Sequence, residues 1–180
     1  MKVSPFLGDA LLLEPEVFGD ARGFFFESFN RRSLQQAIAR DVSFVQDNHA
    51  RSSKNVLRGV HYQIRRPQAK VVRVLAGEVF DVGVDLRRSS ATFGRWAGAI
   101  LSSQNRKQLW LPEGFAHAYL VLSDYAEILV KTSDYWAPDY ERSIAWNDPT
   151  LAIPWPIDKE PLLSTRDRQG VSFEAAELFP

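Results

Sequence analysis

The 180-residue chain carries 22 basic and 22 acidic side chains and no cysteine, which gives a formal charge of zero at pH 7 and a pI of about 6.8. A neutral chain offers no long-range attraction to nucleic acid or to an anionic membrane, and the missing cysteines exclude disulfides, thiolate nucleophiles and zinc ribbons. With 45% hydrophobic residues and no low-complexity tract, the length suits a single domain over residues 1–180, its core burying roughly two thirds of the unfolded surface.

Pro5 and Asp9 fall where a signal peptide needs an unbroken apolar run, and no 18-residue apolar stretch occurs, so a cytoplasmic protein is expected. Ala10 to Glu16 reads as a strand, and Phe18 to Gly23 as a glycine-punctuated turn. Phe24 to Phe29 has the aromatic density of a second strand. Ser33 to Arg40 predicts the one convincing helix, with Ser33 as N-cap and Leu34, Ala37 and Ile38 at helical spacing.

Beyond Asp41, short strand-like runs recur about every ten residues. They cover Phe44 to Asn48, Val56 to Gln63, Lys70 to Leu75, Glu78 to Leu86, Phe93 to Leu101, Lys107 to Leu111, Ala116 to Leu122 and Glu127 to Thr132. The clearest places Phe80, Val82, Val84 and Leu86 inward and Asp81, Gly83 and Asp85 on the other face, after a tight turn at Ala76-Gly77. Many short strands with Gly and Pro turns predict an all-β sandwich or jelly roll. From Tyr135 onward the chain is rich in Pro and Trp and is expected to wrap the barrel as extended loops.

Between Asn48 and Gly77 stand seven Lys or Arg residues and no Asp or Glu, a local excess that suits an anionic ligand. His61 lies within it, with Arg58 expected on the opposite register and Lys70 close downstream. A strand histidine is as often a structural hydrogen-bonder as a general base, and the surrounding cations favour the base only if a carboxylate compensates them. Asp167 is the candidate carboxylate. His49 and His117 raise a metal alternative, but the His-x-His pattern with a nearby acid fails, because Gln63 stands where a second ligand would be. His117, in Pro112-Glu113-Gly114-Phe115-Ala116-His117, is expected to face the barrel interior. Tyr135-Trp136 and Phe18 could stack on a base, although aromatics in a β protein are usually core.

Several blocks in order, over essentially the whole chain, resemble the dTDP-4-dehydrorhamnose 3,5-epimerase family. They are Val17 to Phe25, Phe44 to His49, Val56 to Gln63, Gly77 to Val82, Trp110 to His117 and Trp146-Asn147-Asp148-Pro149. The resemblance implies a cupin-like jelly roll (a double-stranded β-helix) with one or two short helices and extended terminal segments. It further implies a homodimer that uses no metal or other cofactor and binds a dTDP-linked 4-keto-6-deoxysugar. By this likeness His61 is the base that removes a proton next to the 4-keto group, Asp167 orients it and Lys70 stabilises the enolate. Arg22, Glu27, Gln46, Asn48, Arg58, His117, Glu141 and Arg166 are implied ligand contacts, Arg166 standing where the family often has Lys. Phe18, Arg22 and Glu27 would reach the nucleotide across the dimer interface, and Trp136 would stack on thymine.

One position departs from the family pattern in kind. Where the family carries an acid tyrosine in a run like Glu-x-x-Tyr-Lys, this chain reads Glu127-Ile128-Leu129-Val130-Lys131, and Val130 has no proton to give. Three readings follow: inversion at one centre only, protonation through Tyr119, Tyr135 or water, or reduced turnover. The expectation is an epimerase of altered or reduced activity. The alternatives are a non-catalytic dTDP-sugar-binding module and a metal-dependent cupin.

Overall fold

A computed structural model describes all residues, Met1–Pro180. Two sheets face each other. The larger has the order β1-β2-β10-β7-β12-β5, built from Lys2–Leu7, Ala10–Glu14, Gln108–Leu111, Lys70–Ala76, Tyr125–Thr132 and Gln46–Ser53. The smaller has the order β13-β6-β11-β8-β9, from Glu141–Ser143, Leu57–Gln63, Phe115–Val121, Glu78–Asp85 and Trp96–Ser102. All strand pairs are antiparallel, and the sequence neighbours β7 and β8 lie in different sheets, as a jelly roll requires. The turn between them holds Gly77 at φ +75°, where a Cβ would meet the Tyr125 carbonyl oxygen at 2.0 Å.

The space between the sheets is filled at one end by Val72, Val74, Leu109, Leu111 and Ile128 from the larger sheet and by Val79, Phe115, Tyr119 and Val121 from the smaller. The smaller sheet is apolar on its outer face as well. Leu57, Val60, Val82, Val84, Leu86, Ala116 and Leu120 pack there against Leu151, Ile153, Trp155, Phe173 and Ala176 of the C-terminal segment. Removing each of the Val, Leu, Ile and Phe side chains from water contributes about 1.5–3 kcal/mol, which explains why the Pro- and Trp-rich tail lies flat on the barrel as expected. The alternation in β8 is therefore correct and its faces are reversed. Val82, Val84 and Leu86 point to the tail, while Asp81 points into the barrel.

Two local expectations are corrected. The helix α1 spans Arg31–Ile38 and is capped by Asn30, whose side chain accepts from the Ser33 backbone N–H at 3.2 Å, so Ser33 lies inside the helix. The supposed turn at Phe18 to Gly23 is the tip of a hairpin, in which β3 (Val17–Asp20) pairs with β4 (Gly23–Phe26) as a separate two-stranded sheet. A second helix, α2 (Thr165–Arg168), is a single turn. No helix is long and apolar enough to cross a membrane.

Candidate active site

The strand β6 owes its usefulness to an irregularity. Against β11, His61 stands opposite His117 and Arg58 opposite Tyr119, so three steps on β6 match two on β11. The extra residue turns Arg58 to the same face as His61, which corrects the expectation of opposite faces. Arg58 Nε then donates to Ser52 Oγ on β5 at 3.0 Å, across the barrel.

His61 is joined to a carboxylate 106 positions away. Its Nε2 lies 2.5 Å from Asp167 Oδ1, and Nδ1 has no protein partner. The imidazole keeps 26% of its side-chain surface exposed, whereas Asp167 keeps 3%. Asp167 belongs to a capping box at the start of α2: Ser164 Oγ donates to its Oδ2 at 2.6 Å, and its own backbone N–H donates back to Ser164 Oγ at 3.2 Å. One carboxylate oxygen thus anchors the helix turn and the other holds the imidazole. Burial pushes this carboxyl's pKa up, but hydrogen bonds from His61, Ser164 and the Gly59 N–H together leave it below its ordinary value. The acid is therefore ionised at neutral pH and favours the tautomer that carries its proton on Nε2.

Beside it, His117 is buried and its Nε2 lies 2.9 Å from Asp81 Oδ1, so His117 does face the interior. Lys70, at the start of β7, makes no salt bridge. Burial lowers its ammonium pKa to about 8, against the opposing pull of Glu141 and Asp81. Val130 on β12 stands between Asn48 and Val72 on its neighbouring strands and packs against the barrel core.

A polar rim gathers five further residues. Trp136 donates from its backbone N–H to Gln46 Oε1 at 3.0 Å and from Nε1 to Glu141 Oε2 at 2.8 Å. Gln46 reaches Asn48 Oδ1 at 2.8 Å, and Arg166 pairs with Glu141. The Trp136 ring is 54% exposed, free to stack on a ligand. Phe18, Arg22 and Glu27 are not brought to this group. Phe18 and Arg22 lie on the β3–β4 hairpin, where Arg22 pairs with Asp20, and Glu27 follows it and accepts from Asn30. His49 points outward to Glu127 at 3.2 Å, and no three His, Cys, Asp or Glu side chains converge as metal ligands would.

Two functional positions escaped the sequence reading. A single buried face for β8 sets Asp81 outward, whereas the structure turns it inward to His117. Ser164 carries a visible signal, the capping spacing Ser-x-x-Asp, which alone would have tied Asp167 to a helix start. The assembled groups comprise a histidine with a fixed tautomer, a partly buried cation and a rim of hydrogen-bonding and aromatic side chains. Such a set can remove a proton from carbon and hold the resulting negative charge.

Comparison with known proteins follows the same line. The family model described as dTDP-4-dehydrorhamnose 3,5-epimerase matches residues 6–175. A Pseudomonas aeruginosa protein named dTDP-4-dehydrorhamnose 3,5-epimerase is 60% identical over 172 residues, 96% of this chain and 95% of that relative. A Legionella pneumophila dTDP-6-deoxy-D-glucose-3,5-epimerase, solved with dTDP-4-keto-L-rhamnose, superposes with a TM-score of 0.94 at 45% identity, covering 98% of this chain and 94% of that one. A Streptomyces bikiniensis 3'-monoepimerase, solved with dTDP-quinovose, gives 0.88 at 37% identity, covering 97% of this chain and 88% of that one.

Proposed function

Because the chain belongs to the dTDP-4-dehydrorhamnose 3,5-epimerase family, we propose that it inverts a carbon next to the 4-keto group of a dTDP-linked 4-keto-6-deoxyhexose, at C3, C5 or both. The observation that carries this reading is the 2.5 Å contact between His61 and the buried Asp167. His61 takes the proton from carbon, and the electron pair moves into the ring to form an enolate with its charge on the 4-oxygen. Lys70 meets that charge. Since the charge exists mainly after proton removal, the lysine favours the transition state over the bound ketone. Arg58, His117, Asn48, Gln46, Glu141 and Arg166 bind the sugar diphosphate in this reading, and Trp136 stacks on the base.

The donor set supports chemistry without a metal, because Lys70 supplies the positive charge. Phe18, Arg22 and Glu27 reach the nucleotide of a second protomer in a homodimer, and the enzyme works in the cytoplasm. Incubation with dTDP-4-dehydro-6-deoxyglucose in heavy water, followed by mass spectrometry and NMR, tests the reaction. Deuterium at C3, C5 or both is the expected result, and its absence from both positions rejects catalysis. Val130 favours one rival, a dTDP-sugar-binding module without turnover, which would show thermal stabilisation by the ligand and no exchange.

A further inference from the structure

Inversion at carbon needs a proton returned to the face of the enolate opposite the base. Few groups inside the barrel can give one. Val130 has none. His117 stands opposite His61 on the adjacent strand, and its Nε2 is held by the Asp81 carboxylate of the same sheet. Arg58 does not give up a proton near neutral pH. Lys70 is committed to the 4-oxygen. Tyr62 points the other way and donates to the Glu177 carbonyl oxygen at 2.7 Å, and Tyr135 lies 56% exposed outside.

Tyr119 remains. Its side chain is 95% buried, in the same core group that Val130 packs against, and its hydroxyl has no hydrogen-bond partner. A buried phenol without a partner costs about 1–3 kcal/mol, so the hydroxyl does not serve stability where it stands. The ring starts from β11, in the sheet that holds His61, and crosses toward β5 of the opposite sheet, where the oxygen approaches Ser52 without meeting hydrogen-bond geometry.

We propose that Tyr119 is the proton donor of this enzyme, delivering its hydroxyl proton to the ring carbon from the side of the larger sheet after His61 has removed one from the other side. The inference rests on the epimerase reading above. The phenol O–H breaks and a C–H forms, with the enolate electrons returning to that carbon. The tyrosinate left behind lies in the field of the Arg58 guanidinium and regains a proton from water, while the imidazolium of His61 loses one to water. Burial raises the phenol's pKa, which keeps the proton in place until the enolate forms.

The test compares wild type with Tyr119→Phe and with the double variant Tyr119→Phe, Val130→Tyr in heavy water, on dTDP-4-dehydro-6-deoxyglucose. Tyr119→Phe removes one unpartnered oxygen, so its melting temperature is expected to equal or exceed that of wild type and its dTDP binding to match it. Its yield of inverted product should fall by about 10²-fold or more, the usual contribution of a positioned acid. Exchange with retention, through His61, should persist. The double variant should recover inversion, which a merely structural role for Tyr119 does not predict. Inversion by Tyr119→Phe within about threefold of wild type overturns the proposal and leaves the epimerase reading standing. A wild-type protein that neither exchanges nor inverts overturns both.

Discussion

Asp167 and Lys70 are tuned in opposite senses, and each tuning has a measurable consequence. Asp167 spends one oxygen on His61 and the other on Ser164, so replacing it by Asn keeps the shape and loses the charge that favours the Nε2–H tautomer. Asp167→Asn is expected to lower turnover by about 10²-fold or more, by analogy with other oriented histidines, while dTDP still raises the melting temperature. Equal loss of binding and turnover would mean that the carboxylate is only structural. Lys70 must be charged to meet an enolate, and burial holds it near 8 rather than its ordinary 10.5. kcat/KM should therefore fall as pH rises through about 8, and Lys70→Met should abolish most activity. The stability effect has the opposite sign. With the folded pKa below the unfolded one, the cost of burying the ammonium is complete below pH 8 and disappears between 8 and 10.5, where the folded chain gives up its proton first. Thermal melts of wild type against Lys70→Met across pH 7 to 10.5 should show the variant's advantage shrinking. An advantage that does not change with pH would mean that Lys70 carries no titrating charge in the fold.

At the scale of elements, the site depends on β6 lying close against β11. Gly59 has φ +139°, and a Cβ there would stand 2.2 Å from Ala118 Cβ and 2.6 Å from Ala118 Cα. Gly59→Ala must push the two strands apart, which costs about 1–3 kcal/mol as overpacking and also moves His61 relative to Asp167. The expected result is a lower melting temperature together with a drop in exchange rate. Adding Ala118→Gly should recover part of both, and no recovery would place the damage elsewhere. The same strand marks how far the residues could be read in advance. The apolar alternation of β7, β8, β11 and β12 located those strands to within about two residues, because period two survives any tertiary context. It could not reveal the extra residue in β6, since a bulge belongs to a strand pair and is invisible in one strand. Nor could it tell which face of β8 is the cavity, because the C-terminal tail makes both faces apolar. The strands β1 and β3 give no such signal for a related reason: few of their side chains are buried, so no buried stripe betrays them, whereas the aromatic density of Phe24 to Phe29 does mark β4. The His61–Asp167 pair follows only from a base's need for a carboxylate, since nothing local in the chain links positions so far apart.

At the scale of the whole molecule, the β3–β4 hairpin is the feature that one chain leaves unexplained. Phe18, Phe24 and Phe25 are 58%, 60% and 72% exposed on a two-stranded sheet that pairs with nothing else. Three large aromatics clustered on one projection form a surface suited to a partner, and in the dimer reading that partner is a second copy. The hairpin also carries Phe18 and Arg22, which the structure keeps out of their own chain's polar rim. Phe25→Glu should therefore shift the protein to monomer in sedimentation and reduce turnover at low protein concentration. A complementation test separates a shared site from a merely adjacent interface. His61→Asn and Arg22→Ala should each be impaired alone, one lacking the base and the other its reach to the nucleotide. Dissociated, mixed and reassociated, the two should form mixed dimers in which one site has an intact His61 and receives an intact Arg22 from the neighbour, and part of the activity should return. If the mixture stays at the level of the separate variants while sedimentation shows mixed dimers, Arg22 acts within its own chain, and the hairpin then serves association alone.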